Sequence, residues 1–423
     1  VGSEMCIRDR YLWHYLHKIL ILEQVLLILD WVLYILFAIN ILYLLIYSLA
    51  SLRRDLPVPP SATRYKRFAI LIPAYREDKV IHECVHSCLD QDYPVDHFDV
   101  VVISDHMQPE TNSSLSILPI RLIEVHFEHS TKSKALNAAM ATIGDNYDVA
   151  LILDADNIIP YNYLKDINDL YACPGVEIVQ THRIAKNLNS DMALLDAMSE
   201  EINNTIFRLG HAKLGMSAAL IGSGMAFNYD LFRDTMANIK AVGGFDRELE
   251  LTLLYQGKHF YYLPETFVFD EKVQNTNDFS RQRRRWLSAQ WHYCIVFARY
   301  IFKAVMSHNW DFCDKMFQQL SIPRLLLLGF TFFIAFICSF YNFIWSLKWW
   351  GIFILLIVAL FAAVPRRFCT SRLAVAFQKL PYTFWLMAAN IFKLRGANKK
   401  FIHTAHGICL LYTSPSPRDG ATS

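Results

Sequence analysis

The sequence predicts an α/β domain built on a mainly parallel sheet and flanked by transmembrane helices. Three observations carry this. Short, wholly apolar runs recur between residues 68 and 153, and helical or polar stretches separate them. That is the pattern of parallel strands buried on both faces. Three long stretches, 31–50, 325–347 and 349–365, contain no charged residue. Charged residues make up 19% of the 423-residue chain and hydrophobic ones 54%, whereas soluble domains carry about 25% charged residues. The net charge of +2 excludes nucleic acid as an expected partner. Nine cysteines without a C-x-x-C pair suit reduced thiols better than a disulfide framework.

Residues 1–10 (VGSEMCIRDR) and 411–423 read as adapter-derived sequence and are set apart from the fold. Residues 11–54 form an N-terminal membrane region around the span 31–50. Residues 11–29 are apolar but interrupted by Lys18 and Glu23, so they are an interfacial lead-in or part of a longer first helix. A bilayer core of about 30 Å takes about 20 helical residues, which 31–50 and 325–347 supply; 349–365 is close to the lower limit. Asn40 and Asn342 inside these spans call for a partner on a neighbouring helix. Arg53, Arg54, Lys315, Arg324, Arg366, Arg367 and Arg372 flank the spans, and only Lys348 falls in the expected turn between the last two. The positive flanks place residues 53–324 in the cytoplasm and the N-terminus outside. The expected protein is therefore integral to a bacterial inner or plasma membrane, with its catalytic domain cytoplasmic.

The soluble domain is expected over 65–285. Residues 68–72 read as a strand ended by Pro73, 79–89 as a helix, and 98–103 and 149–153 as two more buried strands. Ligands in such sheets bind beyond the carboxyl ends of the strands. Residues 286–306 mix aromatics with His292, Arg299 and Lys303, and 373–393 surround Lys379 and Pro381. Both suit interfacial helices with snorkelling cations, and ordinary amphipathic packing fits the same pattern. The remaining regions are then an interfacial segment 286–324, two spans within 325–365, and an interfacial or cytoplasmic tail 366–410.

Five clusters carry chemistry. Asp154-Ala155-Asp156 ends the third apolar run. In extended chain, two carboxylates at i and i+2 share one side and make an oxygen site for Mg²⁺ or Mn²⁺; a solvated turn is the plain alternative. Asp105 ends the second run, where its carboxylate can accept from a nucleobase or ribose or act as a turn residue. Lys132 and Lys134 precede a helix expected near Ala135, and a cation at a helix N-terminus attracts phosphate. In Asp246-Arg-Glu-Leu-Glu250 one carboxylate can serve as a general base, and acids in a first helical turn are the alternative. Gln282-Arg-Arg-Arg-Trp286 offers guanidinium for diphosphate and an aromatic face for a sugar, or a basic cluster for anionic lipid. His82 with His86 and Cys84 with Cys88 share helical spacing, but nothing nearby completes the tetrahedral array of a zinc site, and they read as structural; His403-Thr-Ala-His406 reads as cytoplasmic tail, with a gating or membrane-surface segment as the alternative.

In this order the motifs strongly resemble the processive family-2 glycosyltransferases, the group of the cellulose, chitin and hyaluronan synthases. The resemblance lies in Ala69–Glu77, Thr131–Asn137, Asp154-Ala-Asp156, Ile221-Gly-Ser-Gly-Met225 and Gln282–Trp286, and spans about residues 65–300. It implies a GT-A fold and inverting transfer from a UDP-sugar with Mg²⁺ or Mn²⁺. Ala74, Glu77, Asp105, Lys132 and Asp154 would bind the nucleotide sugar, and Asp156 the metal. Gly222, Ser223, Gly224, Gln282, Arg285 and Trp286 would line the acceptor and diphosphate end. Glu248 stands where the family commonly has an Asp and would be the catalytic base. The implied partners are the UDP-sugar, a polysaccharide or glycolipid acceptor and the bilayer, with room for accessory subunits. Export of the growing chain, single transfer to a lipid-linked acceptor, and a catalytically silent scaffold remain open. A nucleotidyltransferase would not explain Gln282–Trp286.

Overall fold

The computed structural model describes residues 2–53, 56–241, 243–274, 276–368 and 377–391. The chain divides into two compact units, residues 1–46 with 322–361, and residues 47–321 with 362–423. His403, His406, Arg54, Arg372 and the stretch 411–423 lie outside the described residues.

The first helix, α1 (Gly2–Ser51), begins in the smaller unit and ends in the larger one. Residues 11–29 are thus part of one long helix. The larger unit is then strand and helix in alternation: β1 (Phe68–Tyr75), α2 (Ile81–Leu89), β2 (Phe98–Asp105), α3 (Pro109–Leu115), β3 (Arg121–Val125), α4 (Lys132–Ile143), β4 (Val149–Ile152), α5 (Tyr163–Tyr171) and β5 (Ile178–Ala185). Helix α6 (Asp191–Asn203) runs into a π-helical stretch, Asn204–Gly210, and a single turn, α7 (His211–Lys213). There follow β6 (Met225–Asn228), α8 (Tyr229–Met236), α9 (Phe245–Tyr255), β7 (Tyr261–Asp270), α10 (Thr276–Ala298), α11 (Ile301–Met306) and α12 (Trp310–Leu320).

The seven strands form one sheet in the order β3-β2-β1-β4-β6-β5-β7, and only β6 runs antiparallel to its neighbours. Successive side chains of a strand point to opposite faces, and both faces are covered. Ala69 and Leu71 of β1 pack with Leu136 and Ala139 of α4 and Leu249 of α9, while Phe68, Ile70 and Ile72 pack with Val85 of α2 and Leu164 of α5. That double burial is why these strands read as unbroken apolar runs.

Strand β1 does not stop at Pro73 as expected, but continues to Tyr75. Leu71 accepts from Leu153 N–H at 3.1 Å, and the register pairs with β4 end at Leu71. Pro73 turns its nitrogen to the same side, where no ladder donor is required, so it is tolerated in a central strand.

The smaller unit holds α1, α13 (Arg324–Tyr341) and α14 (Phe343–Ala363), three helices long and apolar enough to cross a membrane. Their boundary differs from the sequence expectation. The break falls at Asn342, not at Lys348. Asn342 is extended (φ −153°, ψ 108°), and its Oδ1 accepts from Trp345 N–H at 3.2 Å, so the residue caps α14. Lys348 lies inside α14, ion-paired to Asp30 and over the Trp31 ring, and Trp349 Nε1 donates to the same Asp30 at 2.8 Å. Asn40 finds its partner outside its own helix, accepting from Ile322 N–H at 3.1 Å. Lys315, expected as a flank of the second span, is buried and paired with Glu250 at 2.7 Å. A last helix, α15 (Leu380–Ile391), packs against α10 within the larger unit.

Candidate active site

Strands β1, β2, β4 and β7 deliver their last residues to one edge of the sheet, around a cavity of about 410 Å³. β4 is followed by Asp154-Ala155-Asp156, and β7 ends at Asp270. The two strands are separated in the sheet by β6 and β5. The chain after β4 closes this gap through a two-residue bridge, with Ile158 N–H to Phe269 O at 3.0 Å and Phe269 N–H to Ile158 O at 2.9 Å. Oxygens of Asp154, Asp156 and Asp270 consequently lie within 4.8 Å of one another.

Asp154 and Asp156 converge, but not through the extended backbone that their i, i+2 spacing predicts. They sit in a turn closed by Asn157 N–H to Asp154 O at 3.0 Å. The Asn157 amide donates to Asp156 at 3.3 Å and to Asp270 at 3.2 Å, and Glu271 N–H donates to Asp156 at 3.0 Å. Asp270 was missed by sequence reasoning, although it ends an apolar run, Phe267–Phe269, as Asp105 does. Three convergent carboxylates are a donor set for a hard divalent cation. Arg183 and Lys272 moderate the negative charge, since both pair with Asp270 and with Glu200.

Lys132 and Lys134 lie within the first turn of α4, not before it, because Thr131 caps the helix by accepting from Lys134 N–H at 3.2 Å. Lys132 Nζ reaches Asp154 at 2.5 Å and the Gly222 carbonyl at 2.7 Å. Lys134 is exposed and bonds the His129 carbonyl. At the other side of the cavity, Gln282, Arg285 and Trp286 share one face of α10, at i, i+3 and i+4. The residues expected to join two regions thus belong to one continuous helix. Burial pushes the Arg285 guanidinium pKa down, while Asp246 and Asp154 oppose that shift. Arg283 stacks over Trp286 and pairs with Asp196 at 2.6 Å. The side-chain oxygen of Gln282 is buried without a hydrogen-bond partner among the described residues.

Asp105, the buried last residue of β2, touches His106 Nδ1 at 2.5 Å. Arg76 and His106 follow adjacent strands with φ of 56° and 57°, a left-handed conformation uncommon for such residues and concentrated at binding sites. Ala74 and Glu77 complete this end of the cavity.

Of the expected acceptor residues, Gly222 lines the cavity, whereas Ser223 and Gly224 lie behind it. Ser223 is fully buried, and Gln180 donates to both of their carbonyls. Glu248, the expected base, does not face the cavity either. Its carboxylate turns to the Tyr293 hydroxyl, 3.4 Å away, and to the backbone at Lys240 and Ala241. Burial raises its pKa above the ordinary carboxylate range. Asp246 faces the cavity instead, beside Gly222. The physical reason is helix phase: residues two apart on a helix differ by about 200°, and α9 begins at Phe245.

The profile of the family described as "Glycosyltransferase like family 2" matches residues 66–289, more than half of the chain. The chain belongs to this family. It is 22% identical over 256 residues to the "Probable glycosyltransferase YdaM" of Bacillus subtilis (strain 168), a stretch covering 56% of this chain and 58% of that protein. The chain thus spans little more than half the length of this curated relative. Among solved structures, it is similar to the mannosyltransferase PcManGT from Pyrobaculum calidifontis in complex with GDP-Man and Mn²⁺. The TM-score is 0.53 and the identity 18%, over 86% of this chain and 98% of that one. The family-2 domain therefore has the GT-A fold, with three candidate membrane helices beside it in sequence.

Proposed function

We propose that this chain transfers a hexosyl or N-acetylhexosaminyl group from a nucleoside-diphosphate sugar, with UDP as the expected carrier, to a glycan or glycolipid acceptor. One observation carries the reading: the three carboxylates of Asp154, Asp156 and Asp270 face the same cavity as Lys132 and Arg285. An anionic diphosphate bridged to a divalent cation needs such acids and such cations together. Asp156 with Asp154 and Asp270 would hold Mg²⁺ or Mn²⁺, which supplies charge neutralisation of the diphosphate when bound.

The rest is done by the protein. Asp105 and the backbone around Ala74 and Glu77 receive the nucleoside. Lys132 and Arg285 hold the leaving diphosphate as the bond from the anomeric carbon to its oxygen breaks and the electron pair passes to phosphate. Asp246 takes the proton of the acceptor hydroxyl as that oxygen bonds the anomeric carbon from the opposite face, which inverts the configuration. Glu248 is the second reading for the base, favoured by its raised pKa. Gln282 and Trp286 orient the acceptor.

A polysaccharide product is the leading proposal, and single transfer to a lipid-linked acceptor the alternative. Membrane attachment is supported by the three apolar helices and by the exposed Trp291, Ile295, Phe302 and Met306 of α10 and α11. The flanking Arg53, Arg366 and Arg367 favour a cytoplasmic domain.

The test is turnover of the detergent-solubilised chain with a panel of UDP- and GDP-sugars, in Mn²⁺, Mg²⁺ or EDTA, reading nucleotide release and product size. Metal-dependent release from one donor supports the reading, and a long product supports the polymer. No release from any donor by folded protein points to a silent scaffold.

A further inference from the structure

The π-helical stretch Asn204–Gly210 sets Arg208 in the cavity wall. The residue is 5% exposed. Its Nε–H donates to the Ala219 carbonyl at 2.9 Å and its Nη1 to Asn204 Oδ1 at 2.8 Å. A guanidinium carries five N–H donors, so these bonds fix the group and leave donors over. Among the described residues no carboxylate forms an ion pair with it. The two acids nearest in charge are already used: Glu200 pairs with Arg183 and Lys272, and Glu250 with Lys315. Burial pushes the Arg208 pKa down, the mark of a charge short of compensation.

An uncompensated buried cation is costly. Here it opens onto a cavity that already holds a place for diphosphate at Lys132. The two cations are anchored on different groups of one wall: Lys132 bonds Asp154 and the Gly222 carbonyl, and Arg208 the Ala219 carbonyl and Asn204. Ser199 and Asn203 of α6 line the cavity as well and offer hydroxyl and amide groups of the kind that hold sugars.

We propose that Arg208 receives an anionic group on the acceptor, a carboxylate or a phosphate, so that the acceptor is an acidic glycan or a lipid phosphate. This rests on the transferase reading above. Arginine suits either anion through bidentate hydrogen bonds. The transferase reading gives the donor diphosphate to Lys132 and Arg285, so an anion at Arg208 is assigned to the second substrate.

The experiment uses the full chain in nanodiscs, with donor binding in Mn²⁺ measured in every sample. One arm compares a tetrasaccharide ending in glucuronate with its neutral glucose counterpart. The other compares a polyprenyl phosphate with the corresponding polyprenol. Wild-type protein is expected to bind the anionic member of one pair at least tenfold more tightly, and that arm identifies the source. Arg208→Gln is expected to abolish the preference while still binding donor. Should that variant lose donor binding through misfolding, Arg208→Lys decides: it should cut the preference several-fold, since an ammonium cannot make the bidentate contact. The proposal is overturned by no preference in either arm, by a preference that survives both substitutions, or by Arg208 discriminating UDP-glucuronate from UDP-glucose as donor instead. Failure of wild-type protein to bind any nucleotide sugar would sink the transferase reading, a distinct result.

Discussion

The choice of base between Asp246 and Glu248 can be decided by two isosteric substitutions. Asp246 lines the cavity, and a Cβ built on Gly222 would come within 3.6 Å of its carboxylate. Asp246→Asn removes a proton acceptor and nothing larger than one charge. General-base catalysis contributes about 10²- to 10⁴-fold, so kcat should fall by that factor, or about 3–5 kcal/mol of barrier. Glu248→Gln is different. The amide keeps an oxygen for the Lys240 and Ala241 backbone, and the Tyr293 contact at 3.4 Å is long. Its burial already disfavours the charge that the substitution removes. The expected loss is within about tenfold, roughly 1 kcal/mol. The assay is nucleotide release under saturating donor and Mn²⁺, with donor affinity measured separately, since neither change should move it more than a few-fold. Near-normal kcat in Asp246→Asn with a hundredfold loss in Glu248→Gln would refute the assignment and return the base to Glu248.

Asp270→Asn should weaken Mn²⁺ binding at least tenfold by calorimetry, because it removes one of three convergent carboxylates; unchanged affinity would leave Asp270 as an ion-pair partner of Arg183 and Lys272. Glu200→Gln leaves Arg183 and Lys272 sharing Asp270, and breaking a buried pair costs up to about 3–5 kcal/mol, readable as a lower denaturation midpoint. Despite the upward pull of burial on its pKa, Arg183 and Lys272 hold the Glu200 carboxyl well below the ordinary carboxylate range. Its contribution is therefore complete above the unfolded value of 4.5 and is lost as pH falls through the lower folded value; the variant should show less acid-induced destabilisation in that window than wild type. Gly224→Ala should cost about 2–4 kcal/mol. Its φ of +60° disfavours any side chain, and the new Cβ would lie 2.5 Å from Thr181 Oγ1 and 2.7 Å from Val268 Cγ1. In the smaller unit, Lys348→Leu leaves Asp30 unpaired and should lower thermal stability in detergent. Leucine at both positions should recover most of the loss; single and double variants of equal stability would contradict that.

Local chemistry was legible wherever a residue's role depends on its own strand or helix. Asp105, Lys132, Asp154 and Asp156 follow apolar runs or open a helix, and the sheet brings them to one edge as the runs imply. Pro73 misled because proline reads as a strand end, and only the short length of β4 shows why β1 can pass it. Lys348 misled because a charge reads as a break in a span, whereas Asp30, far away in sequence, neutralises it. Glu248 was chosen by position in a motif. The start of α9 at Phe245 sets the phase that turns Asp246 inward, and that start is set by Gly244, whose φ is 68°.

Asp270 shows where a linear reading runs out. Nothing near it in sequence points to Asp154 or Asp156, more than a hundred residues earlier. They meet although β6 and β5 lie between β4 and β7, because the Ile158–Phe269 bridge spans the gap. The third carboxylate is thus a product of that long-range pairing. The same holds for the cations. Lys132 reaches the cavity from the N-terminus of α4 and Arg285 from the middle of α10, elements that share no strand. A site that must present acids to a cation and cations to a diphosphate, within one cavity of about 410 Å³, draws its three carboxylates from the ends of strands and Lys132 and Arg285 from helices, and acids and cations already meet there, Lys132 with Asp154 and Lys272 with Asp270. This convergence joins distant parts of the chain. It also explains why single motifs in this chain are weak signals while their joint placement is a strong one.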